Sequence, residues 1–204
     1  MSLCLSTLTH CRACPRLRSW RSRNAQRYPE YHNAPVPPLG EPAAPLLVMG
    51  LAPGLHGANR TGLPFSGDGS GDLLFAALAQ TGLMQAQRPT ALLRISNAVK
   101  CWPPENRPLA SELKLCRRFL RQELAGAKVV LALGRVAHEA VLHALDQRLS
   151  AWPFAHGACH RLPNLLLYDS YHCSRYNQNT GRINQAMLVE VLERARSAVD
   201  KASA

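Results

Sequence analysis

The stretch Gly50–Asp72 reads GLAPGLHGANRTGLPFSGDGSGD and carries seven of the chain's 13 glycines together with Pro53 and Pro64. Glycine and proline at that density do not propagate a helix or a strand. The stretch follows an apolar run, Pro45–Met49, that reads as a buried strand. It ends where Leu73–Leu78 begins a helix, with Ser70 or Asp72 as the expected N-cap. A strand, a glycine-rich loop and a helix N-terminus together hold ligands at the carboxyl edge of an α/β sheet. Loops this long without secondary structure are uncommon in compact domains unless they are functional or disordered. His56, Asn59, Arg60, Phe65 and Asp68 supply bases, an amide, an acid and an aromatic, which favours function over a mere connection.

The remainder of the chain alternates. Ala91–Ser96 reads as a second strand and runs into Asn97–Pro104, where paired prolines end regular structure. Ala110–Leu124 has helical spacing, with Leu113, Cys116, Phe119, Leu120 and Leu124 on one side. Lys128–Leu133 is a third strand closed by Gly134, and Val136–Leu149 is the helix after it. Asn164–Tyr168 is a fourth strand ending at Asp169–His172, and a last helix spans Ile183–Ala198. Near-continuously apolar strands between helices predict an α/β fold, a three-layer α/β/α sandwich around a central, mainly parallel four-stranded sheet. Asp68, Asn97 and His172 follow strands one, two and four, so all three meet at one sheet edge. Residues 41–204 are expected to form this single domain. Residues 1–40 are expected to be a cysteine-containing, basic arm packed on it. That arm reads as a short helix or turn around Cys11 and Cys14, then an extended run with Arg16, Arg18, Arg21, Arg23 and Arg27.

Lysine and arginine outnumber aspartate and glutamate by 24 to 13, a formal charge of +11. The excess points to a polyanionic partner, nucleic acid first and an anionic membrane surface second. No run approaches the roughly 20 apolar residues of a membrane span. Met1–Leu8 lacks the features of a signal peptide, and the expected location is the cytoplasm of a bacterium or archaeon, near the nucleoid. Seven cysteines, an odd number, argue against a secreted disulfide framework. Cys11 and Cys14 form a CxxC; Cys101 sits in the proline-stiffened loop and Cys116 on the helix that follows. Four thiolates fit tetrahedral zinc or an iron–sulfur cluster, and spacing does not separate the two. Taken alone, Cys116 reads equally well as a buried helix cysteine. Cys4, Cys159 and Cys173 read as ordinary cysteines.

Four segments speak together: GLAPG with GDGSG at 50–54 and 67–71, NAVKCWPPENRP at 97–108, Leu133-Gly134, and HCS through NTGR at 172–182. The chain resembles the iron–sulfur uracil-DNA glycosylases, and within them the family 5 (type b) branch, whose first motif reads GLAP followed by HGxNRTG and GDxSG. The resemblance runs from Cys11 to the last helix. It implies a [4Fe–4S] cluster with a structural role on Cys11, Cys14, Cys101 and Cys116. It assigns catalytic roles to Asp68, Asn97 and His172, and makes Phe65 the aromatic on which the flipped base stacks. Two positions depart from the pattern: Cys173 stands where proline follows the histidine, and Leu63 where an arginine is common.

The residues suit that chemistry. Breaking an N-glycosidic bond builds positive charge on the sugar, which the Asp68 carboxylate stabilises, and negative charge on the departing base, which a donor such as His172 stabilises, worth roughly 3–4 kcal/mol. Asp68 also reads as a helix cap or turn residue. Asn97 can donate and accept against the base's polar edge or cap the strand end. Gly50, Ala52 and Gly54 are expected to line the base pocket. In the best-known uracil-DNA glycosylases an aspartate and a tyrosine occupy the positions of Ala52 and Gly54, so their replacement predicts a wider pocket that also accepts deaminated bases such as hypoxanthine. Base flipping costs a few kcal/mol; Arg175 or Tyr176 is placed to fill the vacated space, and Arg60 and Arg182 to contact phosphates. The expected partner is double-stranded DNA, with single-stranded DNA also a substrate, and the expected state is a monomer without membrane contact. No lysine stands out as a nucleophile, so a monofunctional hydrolase is expected. The alternatives are a glycosylase for a different damaged base, a catalytically drifted iron–sulfur DNA-binding protein, which Cys173 favours, and a zinc-bearing RNA-binding module.

Overall fold

The computed structural model of the protein describes residues 5–86 and 88–202, so Cys4 lies outside the described residues. Six strands form one sheet: β1 (Leu39–Gly40), β2 (Leu46–Gly50), β3 (Leu93–Asn97), β4 (Val129–Leu133), β5 (Cys159–Arg161) and β6 (Leu166–Ser170). Their order is β1-β3-β2-β4-β6-β5. The four central strands are parallel, as the sequence predicts. Two short antiparallel strands, β1 and β5, extend the edges. They were not legible because neither is long enough to show a two-residue period. A small hairpin, Met84–Gln85 with Arg88–Pro89, stands apart.

Strands β2 and β4 are apolar throughout because both of their faces are covered, whereas β3 and β6 also bury Arg94, Ser96, Asn97, Asp169 and Ser170. In β2, Leu46 and Val48 pack with Leu74 and Leu78 of helix α2 (Gly69–Gln80) and with Leu188, Leu192 and Ala195 of helix α5 (Gln185–Ala202). Leu47 and Met49 point the other way, onto Leu120 and Leu124 of helix α3 (Ala110–Leu124) and Val141 and Leu142 of helix α4 (Arg135–Ala144). Each such fully buried side chain contributes about 1.5–3 kcal/mol. In α3 the buried positions 116, 119, 120, 123 and 124 trace one helical stripe. Among the described residues, no helix is long and apolar enough to cross a membrane.

Three expectations need correction. The basic run is not extended: Pro15–Arg27 is a 13-residue helix, α1. Proline at its first turn starts it and arginine is a good helix former, but only Leu17 and Asn24 are buried, so no apolar stripe marks it. Leu8 and Leu17 pack on Val99, Cys101, Cys116 and Phe119, and Arg16 forks onto Glu112 of α3 at 2.8 and 2.7 Å. Helix α4 stops at Ala144, five residues early, where Asp146 takes a φ of +56°. The last central strand runs to Ser170, not Tyr168, which moves Asp169 and Ser170 into the sheet, both wholly buried.

Candidate active site

At the carboxyl ends of β2, β3 and β6 lies a cavity of about 270 Å³ whose walls include Ala52, Gly54, Phe65, Asp68, Asn97 and His172. It joins the three residues that sequence reasoning sent to one sheet edge.

Asp68 is the N-cap of α2, in place of Ser70 or Asp72. Its Oδ1 accepts from the Ser70 and Gly71 amides at 3.0 and 3.1 Å. Its Oδ2 is turned towards Gly54 and Gly57: a Cβ on Gly54 would come within 3.0 Å of it, and one on Gly57 would collide with the carboxylate. The two readings of Asp68 therefore hold together, one oxygen for the helix and the other for the cavity.

Phe65 is buried and has a φ of +59°, a left-handed conformation that non-glycine residues seldom adopt away from turns and functional sites. Its backbone fits there because Gly71 has no side chain; a Cβ at Gly71 would overlap the Phe65 carbonyl oxygen. The Phe65 ring faces His172, centroids 6.3 Å apart and planes 30° from parallel. Gly50 is paired with Asn97 across β2 and β3. A Cβ on Gly50 would meet Phe65 Cζ at 2.5 Å and Asn97 Oδ1 closer still. Gly50 thus lies behind these two side chains and outside the cavity lining.

Asn97 is 4% exposed. Its backbone carbonyl accepts from Lys100 Nζ at 2.7 Å. The same ammonium, 1% exposed, donates to Ser96 Oγ at 2.6 Å and to both Glu123 oxygens at 2.7 and 2.9 Å. Sequence reasoning missed Lys100; the available signal was Glu123, an acid inside the buried stripe of α3. His172 is held by Asn177 Nδ2, which donates to its carbonyl at 2.8 Å. Burial lowers the His172 pKa below its ordinary value, opposed by the nearby Asp68 carboxylate, so the ring is neutral at pH 7. Cys173, in the proline position, is wholly buried in the core, and burial pushes its thiol up to about 12.

A model of the "Uracil DNA glycosylase superfamily" matches residues 37–196, which spans this site and the whole sheet. The chain belongs to that superfamily. It is 43% identical over 210 residues to a type-5 uracil-DNA glycosylase of Thermus thermophilus, covering 94% of this chain and 95% of that protein. It is 42% identical to a type-5 uracil-DNA glycosylase of Pyrobaculum aerophilum, covering 94% and 90%. A type-4 uracil-DNA glycosylase of Pyrobaculum aerophilum is 30% identical over 144 residues, 68% of this chain and 70% of that one.

Within this member of the uracil DNA glycosylase superfamily, a second cavity of about 470 Å³ shares Leu51 and His172 with the first. Arg135 and Arg182 line it, their guanidinium carbons 5.7 Å above the Phe154 ring and 4.6 Å above the Tyr171 ring. Sequence reasoning named Arg182 and missed Arg135. Arg175 lies with its chain across Gly69, where a Cβ would strike it, and Tyr176 is 74% exposed. Arg60 reaches back over Gly67. His56 and Asn59 tie that loop to Tyr31 and Asn33, at 3.0 and 3.1 Å.

Cys11, Cys14, Cys101 and Cys116 line one pocket, with Leu8, Leu17 and Phe119 around them. Arg21 Nη1 donates to Cys101 Sγ at 3.4 Å and Arg118 Nη2 to Cys11 Sγ at 3.2 Å. Burial pushes the Cys14 and Cys101 thiols up to about 11 and 12. Four thiols gathered in one pocket beside two guanidinium donors are a donor set that tetrahedral zinc or an iron–sulfur cluster takes.

Proposed function

We propose that this chain flips uracil, and other deaminated bases such as hypoxanthine, out of DNA and hydrolyses the N-glycosidic bond to leave an abasic site. The observation that carries this reading is the meeting of Asp68 Oδ2, Asn97 and the neutral His172 ring around one cavity with Phe65 at its wall. Asp68 stabilises the positive charge that grows on the sugar and orients water. Asn97, whose side chain makes no hydrogen bond among the described residues, reads the base's polar edge. His172 donates to a base carbonyl oxygen as negative charge develops there, worth roughly 3–4 kcal/mol. A neutral imidazole suits that role because it keeps one N–H and adds no charge. Ala52 and Gly54 leave the wall open for bases larger than uracil.

Cys11, Cys14, Cys101 and Cys116 hold a [4Fe–4S] cluster, whose contribution when bound is a structural tie. The gathering of the four cysteines in one pocket and the two guanidinium donors support this, since Arg21 and Arg118 offset the negative charge of four thiolates. The tie joins residues 1–40, as a basic arm, to the 41–204 domain. Arg60, Arg175, Tyr176 and Arg182 contact the DNA, joined by Arg135 at the second cavity. The protein acts as a cytoplasmic monomer on double-stranded and single-stranded DNA.

Wild type, Asp68→Ala and His172→Ala are incubated with duplex and single-stranded DNA bearing one uracil, then treated with alkali. Cleavage by wild type alone supports the assignment. Equal cleavage by Asp68→Ala removes Asp68 from the mechanism. A trapped Schiff base after borohydride contradicts a monofunctional hydrolase; Lys100, buried and fully engaged, is no candidate for one.

A further inference from the structure

Three elements close on a buried polar cluster outside the cysteine pocket and the base cavity. Asp169 of β6 is wholly buried, His138 of α4 is 2% exposed, and His160 of the edge strand β5 is half-buried. The two imidazoles approach different oxygens of the carboxylate: His138 Nδ1 lies 2.8 Å from Oδ1 and His160 Nε2 lies 3.1 Å from Oδ2. Among the described residues, Asp169 pairs with these two histidines and with no lysine or arginine.

The protons do not balance. His138 Nε2 lies 2.8 Å from the Trp152 carbonyl oxygen, which only accepts, so Nε2 carries hydrogen. A neutral imidazole then presents a bare lone pair at Nδ1, directly against a carboxylate lone pair. A positive charge must sit between them, either a second proton or a cation. A second proton on His138, with neutral His160 donating its Nε2 hydrogen to Oδ2, satisfies the three groups by hydrogen bonds alone. A cation also engages all three groups, whose ligand atoms lie mutually within 4.8 Å.

We propose that His138 Nδ1, His160 Nε2 and the Asp169 carboxylate form a binding site for a divalent transition-metal ion of the zinc class. Imidazole with one carboxylate is the donor set such borderline ions take. Bonds of 2.0–2.2 Å place neighbouring ligands of a tetrahedral ion about 3.4 Å apart, so the observed 2.8 and 3.1 Å need only a small widening. The hydrogen bond from His138 Nε2 to Trp152 is the outer contact that fixes a metal-ligating imidazole. The rings of Phe154 and Trp152 wall the cluster, 5.7 and 5.9 Å from the nearer imidazole centroid. The half-buried His160 gives the ion its way in. Once bound, the ion pins α4, β5 and β6 together just before the segment that carries His172.

The test uses protein with its cysteine pocket loaded, so that thiolates do not compete. It is equilibrated with zinc, passed into metal-free buffer, and its zinc and iron are counted by mass spectrometry. One zinc per chain is expected for wild type. His160→Ala, which alters an edge strand and spares the core, and Asp169→Asn are expected to lose it with iron unchanged. Zinc should raise the melting temperature of wild type and leave His160→Ala unmoved. Wild type without zinc overturns the proposal and assigns the position to a proton. Zinc retained by both variants overturns it equally.

Discussion

Replacing Gly50 with alanine adds one methyl group where the backbone of β2 touches two site side chains. That methyl would stand 2.5 Å from Phe65 Cζ and 2.9 Å from Cε2, and would also strike Asn97 Oδ1. Carbon atoms rest at about 3.5–4.0 Å, so the ring has to retreat by about 1 Å. The backbone of β2 cannot yield, because it is hydrogen-bonded between β3 and β4. Overpacking of this kind costs about 1–3 kcal/mol, a fall in melting temperature of roughly 2–12 °C for a chain of this length. Displacing catalytic groups by about 1 Å costs about 100-fold in rate. Single-turnover excision from a uracil duplex, with saturating protein, reads the chemical step. Affinity for abasic DNA should stay unchanged, since none of the arginines proposed to contact phosphate is touched. Adding Phe65→Leu should restore part of the lost stability by freeing space, and none of the rate. A Gly50→Ala protein that excises uracil within a few-fold of wild type refutes the close packing.

Glu123→Gln strands the Lys100 ammonium in the core and should cost about 3–5 kcal/mol, while Lys100→Met with Glu123→Leu regains most of it; denaturant midpoints that fall further in the double variant would contradict this. Because burial lowers the His172 pKa, the unfolded chain takes up that proton first, so this residue's share of stability is full above pH 6.5 and declines as pH falls below it. The same shift places the ring's protonation below pH 6.5, and an excision rate that drops with a midpoint above pH 6.5 would contradict it. Removing the Asp68 charge should move the His172 transition lower still, which an NMR titration of Asp68→Asn reads directly. Asparagine keeps the cap of α2 where alanine forfeits about 0.5–2 kcal/mol; equal melting of Asp68→Asn and Asp68→Ala would deny the capping role, whatever happens to excision.

The central strands and most helices were legible because burial imposes a period on sequence, and Leu46–Met49 or Leu188–Leu192 carry it plainly. Helix α1 was not, because it is held by the Arg16–Glu112 fork and Leu17 and has no apolar stripe. The convergence of Asp68, Asn97 and His172 followed from strand order alone. The division of labour within Asp68 did not, since nothing in a list of residues says which oxygen a helix will use. Lys100 and Asp169 were invisible for a shared reason. Each is a charged residue whose partner is distant in sequence, 23 residues away for Glu123 and 31 for His138. Only tertiary packing reveals the pairing.

The clamp on Asp68 bears on which partner moves. With one oxygen stapled to two amides of α2, the carboxylate cannot pivot about its own axis to follow a sugar. The Phe65 backbone lies close against Gly71, and the Asn97 backbone is paired into the strand. On the role proposed for Asp68, the travel needed to reach the reactive arrangement then falls on the nucleotide. A strand that swings its sugar freely meets less resistance than one held in a helix. Changes in the nucleic acid's stiffness, from the opposing base or from neighbouring steps, should then alter turnover more than changes in the protein's own suppleness.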